Sequence, residues 1–320
     1  MFEGSIPQGQ FQSPQSTQED ELVGLAAQAD VLVTRGRPID DGLMAAAEQA
    51  KLVHVMGRYP DMVDVAAART RKIPVATMPH GGAIAVAEHT IALMLALSRQ
   101  LLPSHRGVVT GEYRERGLTP EPTDEWNFAF NWLGSSRLGE LRGKTLGLVG
   151  FGEIAKEVAR RARAFDMQIL YTKRNPLRPE WEARLGVQSV SLDELLAQSD
   201  YVSLHAPHSP ETERLLHADR LASMKKTAVV INTSRGGLIE ETALCEALMH
   251  GQIAGAGLDV FQKEPLPADH PLAEMHNVIL TPHTGGGTGG GQKGNLFQVL
   301  ENIARFERGE TPHHTVVSFE

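Results

Sequence analysis

Short β-branched runs alternate with segments whose apolar positions recur at helical spacing along most of the chain. From Asp30 the order is V-L-V-T, D-G-L-M-A-A-A-E-Q-A, L-V-H-V-M, V-D-V-A-A-A-R-T-R, I-P-V-A-T and A-V-A-E-H-T-I-A-L-M-L-A-L. A second series starts at Lys144 with T-L-G-L-V, the helical I-A-K-E-V-A-R-R-A-R-A-F and I-L-Y-T. It continues through D-E-L-L-A-Q, Y-V-S-L-H, A-V-V-I-N, A-L-C-E-A-L-M, G-A-G-L-D-V and V-I-L-T. Strand, helix, strand in regular succession predicts parallel sheets covered by helices, so the fold class is α/β.

The rhythm fails in three places. Residues 1–20 are rich in Gln, Ser, Pro and Gly without periodicity and are expected to form a loosely ordered arm. Residues 103–143 mix Gly, Pro and charges with the aromatic stretch W-N-F-A-F-N-W (Trp126 to Trp132), which reads as a linker. Its aromatic patch either packs on the protein or lines a substrate pocket, across a subunit interface in one version. The glycine-rich tract Gly285 to Gly291 leads into a last helical pattern, Asn295 to Arg308. The segment from Ala85 to Leu101 is apolar on nearly every face and should be buried, either inside one subunit or in a homodimer.

A chain of 320 residues exceeds the size at which one core usually stops growing, so two domains are expected. The formal charge of −8 argues against nucleic acid or a membrane surface as partner, because both call for a clustered basic face. The longest apolar run, Ile91 to Leu97, is far short of the roughly 20 residues of a membrane span, and no signal-peptide pattern opens the chain. The lone Cys245 has no partner for an internal disulfide, and a cytoplasmic location is expected.

G-F-G-E-I-A, Gly150 to Ala155, follows an apolar run and precedes a helical pattern, the context that a dinucleotide-binding turn requires. Gly150 makes the bend, Gly152 lets the backbone approach a pyrophosphate, and the amides after Phe151, at Glu153 and Ile154, open a helix whose positive end favours phosphate. A site for NAD would carry a carboxylate at the end of the next strand. Here Thr172, Lys173 and Arg174 supply a hydroxyl and two cations, which favours NADP(H) while leaving NAD(H) possible.

Downstream come Arg235 in I-N-T-S-R-G-G, Glu264 in L-D-V-F-Q-K-E-P and His283 in T-P-H-T-G. A fixed cation for a carboxylate, an acid to orient a histidine and a proton donor are what reduction of a 2-oxo acid needs.

In this order the motifs resemble those of the D-isomer-specific 2-hydroxyacid dehydrogenases, which include glyoxylate/hydroxypyruvate reductases and phosphoglycerate dehydrogenases. The resemblance runs from about Ala29 to Gly309. It implies two doubly wound parallel-sheet domains: a Rossmann nucleotide-binding domain over residues 103–289 and a discontinuous flavodoxin-like substrate domain over 1–102 and 290–320. It implies His283 as general acid, Glu264 as its carboxylate partner and Arg235 on the substrate carboxylate. His205, Ala206, Pro207, Thr212, Thr233, Ser234, Asp259 and Gly285 would join the cofactor pocket, and no metal is called for.

The rest of the substrate carboxylate would be held by the loop at Gly57, Arg58 and Tyr59. Relatives commonly have a small residue and a second glycine after Gly57, where this chain has Arg58, Tyr59 and Pro60. Arg58 would then read a second anionic group or stand solvated outside the cleft. The other histidines, His54 and His80 among them, receive no role. The expected reaction is reduction of a small 2-oxo acid, glyoxylate or hydroxypyruvate, to the D-2-hydroxy acid. The alternatives are an NAD-dependent phosphoglycerate-type oxidation and a nucleotide-sensing, corepressor-like binding protein.

Overall fold

A computed structural model describes residues 10, 12–14, 18–35, 37–78, 81–287 and 291–317. Most of the predicted N-terminal arm, His80 and residues 288–290 of the glycine tract lie outside the described residues.

Helix α1 (Glu19–Ala26) precedes β1 (Val31–Thr34), α2 (Asp41–Ala46), β2 (Leu52–Val55), α3 (Val65–Thr70) and β3 (Val75–Thr77). Then come α4 (Gly81–Ser98) and α5 (Leu101–Thr110). The second series is β4 (Thr145–Val149), α6 (Glu153–Arg163), β5 (Gln168–Thr172), α7 (Pro179–Leu185), β6 (Gln188–Ser189), α8 (Leu192–Gln198) and β7 (Tyr201–Leu204). It ends with α9 (Ala218–Ala222), β8 (Val229–Asn232), α10 (Glu241–Met249), β9 (Gly255–Leu258), β10 (Val278–Leu280), α11 (Gly291–Glu307) and β11 (Thr315–Val317).

The chain divides into two compact units, one formed by Met1–Ala85 with Gly286–Glu320, the other by Val86–Gly285. In the first, the sheet order is β1-β2-β3-β11, parallel except for β11, which runs antiparallel to β3. All residues of β2 and β3 are buried, as befits strands covered on both faces. Asp40 and Asp64 cap α2 and α3 by accepting the amides of Leu43 and Ala67, which fixes where each helix begins. Met44, Val53, Ala68 and Val75 form the centre of this core, and Val299 and Ile303 of α11 pack on Met78.

The second unit has a seven-stranded, all-parallel sheet in the order β10-β9-β8-β7-β4-β5-β6. Strand order reverses between β4 and β7, and the crevice beyond the carboxyl ends of such a pair is where ligands of open parallel sheets bind. Leu146, Leu148, Val202, Leu204 and Val230 are fully or almost fully buried at its centre.

The predicted first boundary, after residue 102, is displaced, since the division falls inside α4 at Ala85/Val86. The small residues of β9 explain this. A Cβ added at Gly257 would come within 3.1 Å of Leu93 Cβ, so α4 lies close over that strand and belongs with its sheet. The stretch expected as a linker opens instead with α5, and most of its aromatics do not pack. Trp126, Phe128 and Phe130 are 91%, 63% and 83% exposed, whereas Trp132 meets Tyr113 edge-on at 6.1 Å. Among the described residues no single helix is long and apolar enough to cross a membrane.

One polar group sits deep in the first core. His54 on β2 is fully buried, its Nε2 accepts from Asn302 Nδ2 at 2.9 Å, and its Nδ1 has no partner. Asn302 in turn bonds the backbone of His313 on both sides, 3.2 Å to its carbonyl and 2.7 Å from its amide, which ties α11 to the segment before β11. Burial lowers the His54 pKa to about 4 from 6.5. The unfolded chain therefore binds this proton more readily than the folded one, and stability falls as pH drops from 6.5 toward 4, by up to about 3 kcal/mol. Urea unfolding at pH 7 and pH 5 should show about 2 kcal/mol of that loss in the wild type. His54→Leu should show a much smaller difference between the two pH values.

Candidate active site

The turn after β4 begins at Gly150 with φ of 87°, a conformation that favours glycine. A Cβ there would lie 2.6 Å from the Ala206 amide nitrogen and 2.7 Å from the His205 carbonyl carbon, so G-F-G packs backbone to backbone against H-A-P. At Gly152, by contrast, a Cβ would meet nothing within 4 Å. Gly152 is the N-cap of α6 and offers no side chain to it, so the first-turn amides at Glu153 and Ile154 face this open space with the positive helix end behind them. An open cradle at the N-terminal end of a helix fits a dinucleotide pyrophosphate.

Phe151 does not face the cradle. Its ring is 2% exposed and packs on Tyr171 of β5, centroid to centroid 4.4 Å. The Tyr171 hydroxyl donates to Glu182 Oε1 at 2.7 Å and accepts the Leu177 amide at 2.8 Å, which pins the loop from Thr172 through Lys173 and Arg174 to α7. Burial, reinforced by Glu182, pushes the Tyr171 pKa up to about 12, so the phenol keeps its proton. Thr172 and Lys173 are half-buried and Arg174 is exposed.

H-A-P serves mainly through its backbone. The His205 ring bonds Ser203 Oγ at 2.9 Å, and burial lowers its pKa to about 3, which keeps it neutral. Thr212 donates to the Pro207 carbonyl at 2.7 Å, Ser234 donates to the Ala206 carbonyl at 2.8 Å, and the Thr233 hydroxyl lies 3.0 Å from Thr90. These hydroxyls, read from the sequence as cofactor contacts, are engaged in shaping the rim.

At the end of β8, Asn232 accepts the Ser234 amide at 3.1 Å and donates to the Arg235 carbonyl at 2.9 Å, closing the turn that presents Arg235. Arg235 is exposed, donates to the Ser234 carbonyl at 2.5 Å, and makes no ion pair among the described residues. A Cβ at the next residue, Gly236, would fall 1.9 Å from the Phe261 carbonyl carbon, so the Arg235 turn and the loop to Glu264 touch through their backbones. Glu241 steadies that loop by accepting the Gln262 amide at 2.6 Å.

Glu264 Oε2 then lies 2.7 Å from His283 Nδ1, and Glu264 Oε1 accepts the Phe261 amide at 3.1 Å. Burial works against the Glu264 charge, but the hydrogen bonds from His283 and from the Phe261 amide outweigh it and hold the carboxyl below its ordinary range. His283 has φ of 55° and is half-exposed. Asp259 is 1% exposed, and its carboxylate accepts the amides of Thr284 and Gly285 at 2.9 and 2.8 Å.

Arg235, Glu264, His283, Asp259 and Gly285 are thus gathered in one unit with the glycine turn and H-A-P. Gly57, Arg58 and Tyr59 lie in the other unit, on the loop after β2, with Gly57 buried and the other two half-buried. Asn232, Glu241 and Tyr171 had no role in the sequence reading. The N of I-N-T-S-R-G-G and the Y of Y-T-K-R lay inside motifs already singled out, whereas nothing local marks Glu241.

A family model described as "D-isomer specific 2-hydroxyacid dehydrogenase, NAD binding domain" matches residues 91–285. A glyoxylate reductase of Korarchaeum cryptofilum (strain OPF8) is 38% identical over 280 residues, 87% of this chain and 80% of that protein. The solved structure of a glyoxylate reductase from Paecilomyes thermophila is 35% identical, covers 92% of this chain and 85% of its own, and aligns with a TM-score of 0.59. An acyclic imino acid reductase solved with NADPH and D-Arg is 29% identical, with coverages of 94% and 89% and a TM-score of 0.56.

The backbone contact at Gly236 leaves no room for relief. Gly236→Ala should cost about 3 kcal/mol or more, whereas Gly237→Ala, whose Cβ would meet the movable ring of His208 at 2.5 Å, should cost about 1 kcal/mol. Urea midpoints of the two variants check the contrast, and equal midpoints would contradict it.

Proposed function

The chain belongs to the D-isomer specific 2-hydroxyacid dehydrogenase family, and from that premise we propose that it reduces a small 2-oxo acid, glyoxylate or hydroxypyruvate, to the D-2-hydroxy acid with a preference for NADPH. It is an oxidoreductase that uses a nicotinamide cofactor. The observation that carries the reading is the His283–Glu264 bond of 2.7 Å, on a loop that abuts the turn of the exposed Arg235.

A nicotinamide cofactor, when bound, would supply the hydride for the carbonyl carbon. Negative charge then grows on the carbonyl oxygen, and His283 gives that oxygen its proton. Because Nδ1 is held by Glu264, Nε2 is the nitrogen left to face the substrate. Glu264, kept anionic, fixes the imidazole ring through that bond, and in the oxidative direction the same imidazole takes the proton back. Arg235 binds the substrate carboxylate with its planar fork. Gly57, Arg58 and Tyr59, on the loop after β2, are further candidates for substrate binding.

On the cofactor side, Gly152 and the first turn of α6 receive the pyrophosphate, and Lys173 and Arg174 favour the extra phosphate of NADPH. The NADPH-bound imino acid reductase supports this preference, and NADH remains usable. A homodimer is inferred from the exposed apolar side chains of the segment after α5, among them Trp126 and Phe130. The single cysteine, Cys245, fits a reducing, cytoplasmic setting.

Loss of reduced-nicotinamide absorbance, followed with glyoxylate, hydroxypyruvate, pyruvate and bulkier 2-oxo acids, tests the reaction. Turnover should be faster with NADPH than with NADH, and silence across the panel despite nucleotide binding would overturn the reductase reading. Arg235→Ala should lower kcat/KM by about a thousandfold with little change in the Kd for NADPH. The double change Lys173→Ala with Arg174→Ala should weaken NADPH by roughly 10- to 100-fold and NADH by less than about threefold. Equal weakening of both nucleotides would sink the proposed preference.

A further inference from the structure

We propose that His89, on α4, is a positioning residue for His283, holding it in place through Thr281 and Asp259; the proposal rests on the role given to His283 above. His89 stands in the A-E-H-T segment of α4. Its ring Nε2 lies 2.9 Å from Thr281 Oγ1 and 3.4 Å from Asp259 Oδ1. Thr281 Oγ1 is in turn 2.6 Å from Asp259 Oδ1.

The direction of each bond follows from chemistry. Asp259 is an acceptor, already taking the amides of Thr284 and Gly285, so the Thr281 hydroxyl hydrogen goes to Asp259. Thr281 Oγ1 then has only lone pairs to offer, and His89 must donate to it from Nε2. The chain of donors runs from His89 to Thr281 to Asp259.

Three of the five residues from 281 to 285 are tied to Asp259 in this way, and His283 stands between them. Its φ of 55° is in the left-handed region, which a residue with a Cβ holds only where its surroundings over-determine it. Its own amide makes a bond of 3.0 Å to the Thr281 carbonyl, so the conformation of Thr281 sets that of His283 directly. The clamp leaves no slack at its far end, since a Cβ on Gly285 would come within 2.9 Å of Asp259 Oδ2 and 3.3 Å of His89 Cδ2.

The next residue of α4 acts in parallel. Thr90 Oγ1 donates to the Val86 carbonyl at 2.9 Å and so accepts from Thr233, 3.0 Å away, in the turn that leads to Arg235. Two adjacent residues of one helix therefore brace the two turns that carry Arg235 and His283. His89 is the one whose loss removes the donor to Thr281 Oγ1, two residues from the proton donor.

The test compares His89→Phe, which keeps a ring and removes the donor, with His89→Gln, which keeps a donor at similar reach, and with Thr281→Val. In the reductase assay, His89→Phe should lower kcat about tenfold, with KM for NADPH within about twofold of wild type, and His89→Gln should recover most of the loss. Combining His89→Phe with Thr281→Val should be no worse than Thr281→Val alone, because the His89 bond ends on the hydroxyl that Val removes. A filler of space would lower thermal stability without separating Gln from Phe. Unchanged kcat in His89→Phe, equal losses in Phe and Gln, or additive losses in the double variant would each overturn the proposal.

If the wild type reduces no 2-oxo acid, the functional reading fails by itself. Amide exchange at Thr284 and Gly285 then still reads the clamp, and about tenfold faster exchange in His89→Phe than in wild type is expected. Unaltered exchange would overturn it.

Discussion

A carboxylate that is 1% exposed has to find hydrogen-bond donors inside the protein, because leaving a buried charge unpaired costs several kcal/mol. Asp259, one residue past β9, meets this demand by drawing the segment after β10 over its own strand end. The Thr281 hydroxyl and the amides of Thr284 and Gly285 all turn toward it. The chain cannot continue as a strand and also serve that carboxylate, so it folds back, and His283 takes the left-handed conformation that the turn imposes. The direction in which His283 points, and hence its bond to Glu264, descends from this one buried charge.

A second constraint works beside it. Gly150 against Ala206 and Gly236 against Phe261 are approaches closer than any Cβ would permit. They bring the loops of β4, β7, β8 and β9 into contact at one end of the sheet. With such contacts made by backbone, the side chains of those loops are free for other work. Some of them shape the loops, as Ser234 and Thr212 do. Arg235 and Glu264 remain exposed at the surface of the site.

The strand series was legible because every strand of the sheet interior is a short β-branched or small-residue run bounded by helical patterns. Elements that escaped lack that signature. β11 is three residues long and pairs only through the edge of β3, and β6 has two residues, so neither can produce a period. α5 contains Pro103 and Gly107, which read as loop, although Pro is tolerated in a first turn where the amide would lack a partner in any case. The boundary inside α4 was hidden because a helix apolar on nearly every face gives no sign of which sheet it covers. The glycines of β9, seen against Leu93, and the bonds of His89 and Thr90 decide that.

At the site, residue types were legible and their manner of use was not. Gly150, Gly152, Arg235, Glu264 and His283 could be singled out because few residue types do what they do. Phe151, His205, Thr212 and Ser234 stood in the same motifs, yet a sequence does not say whether a side chain turns toward a ligand or back into the fold. The separating principle is satisfaction. His205, Thr212, Thr233 and Ser234 already have protein partners, and two of those hydroxyls donate to backbone carbonyls that would otherwise be orphaned at a loop rim. Arg235 differs, because a guanidinium carries five donors and the one hydrogen bond it makes among the described residues is to the Ser234 carbonyl next to it. A fixed cation left with most of its donors in solvent, held on a turn that a buried asparagine closes, is prepared for an anion from outside the protein rather than for the fold itself.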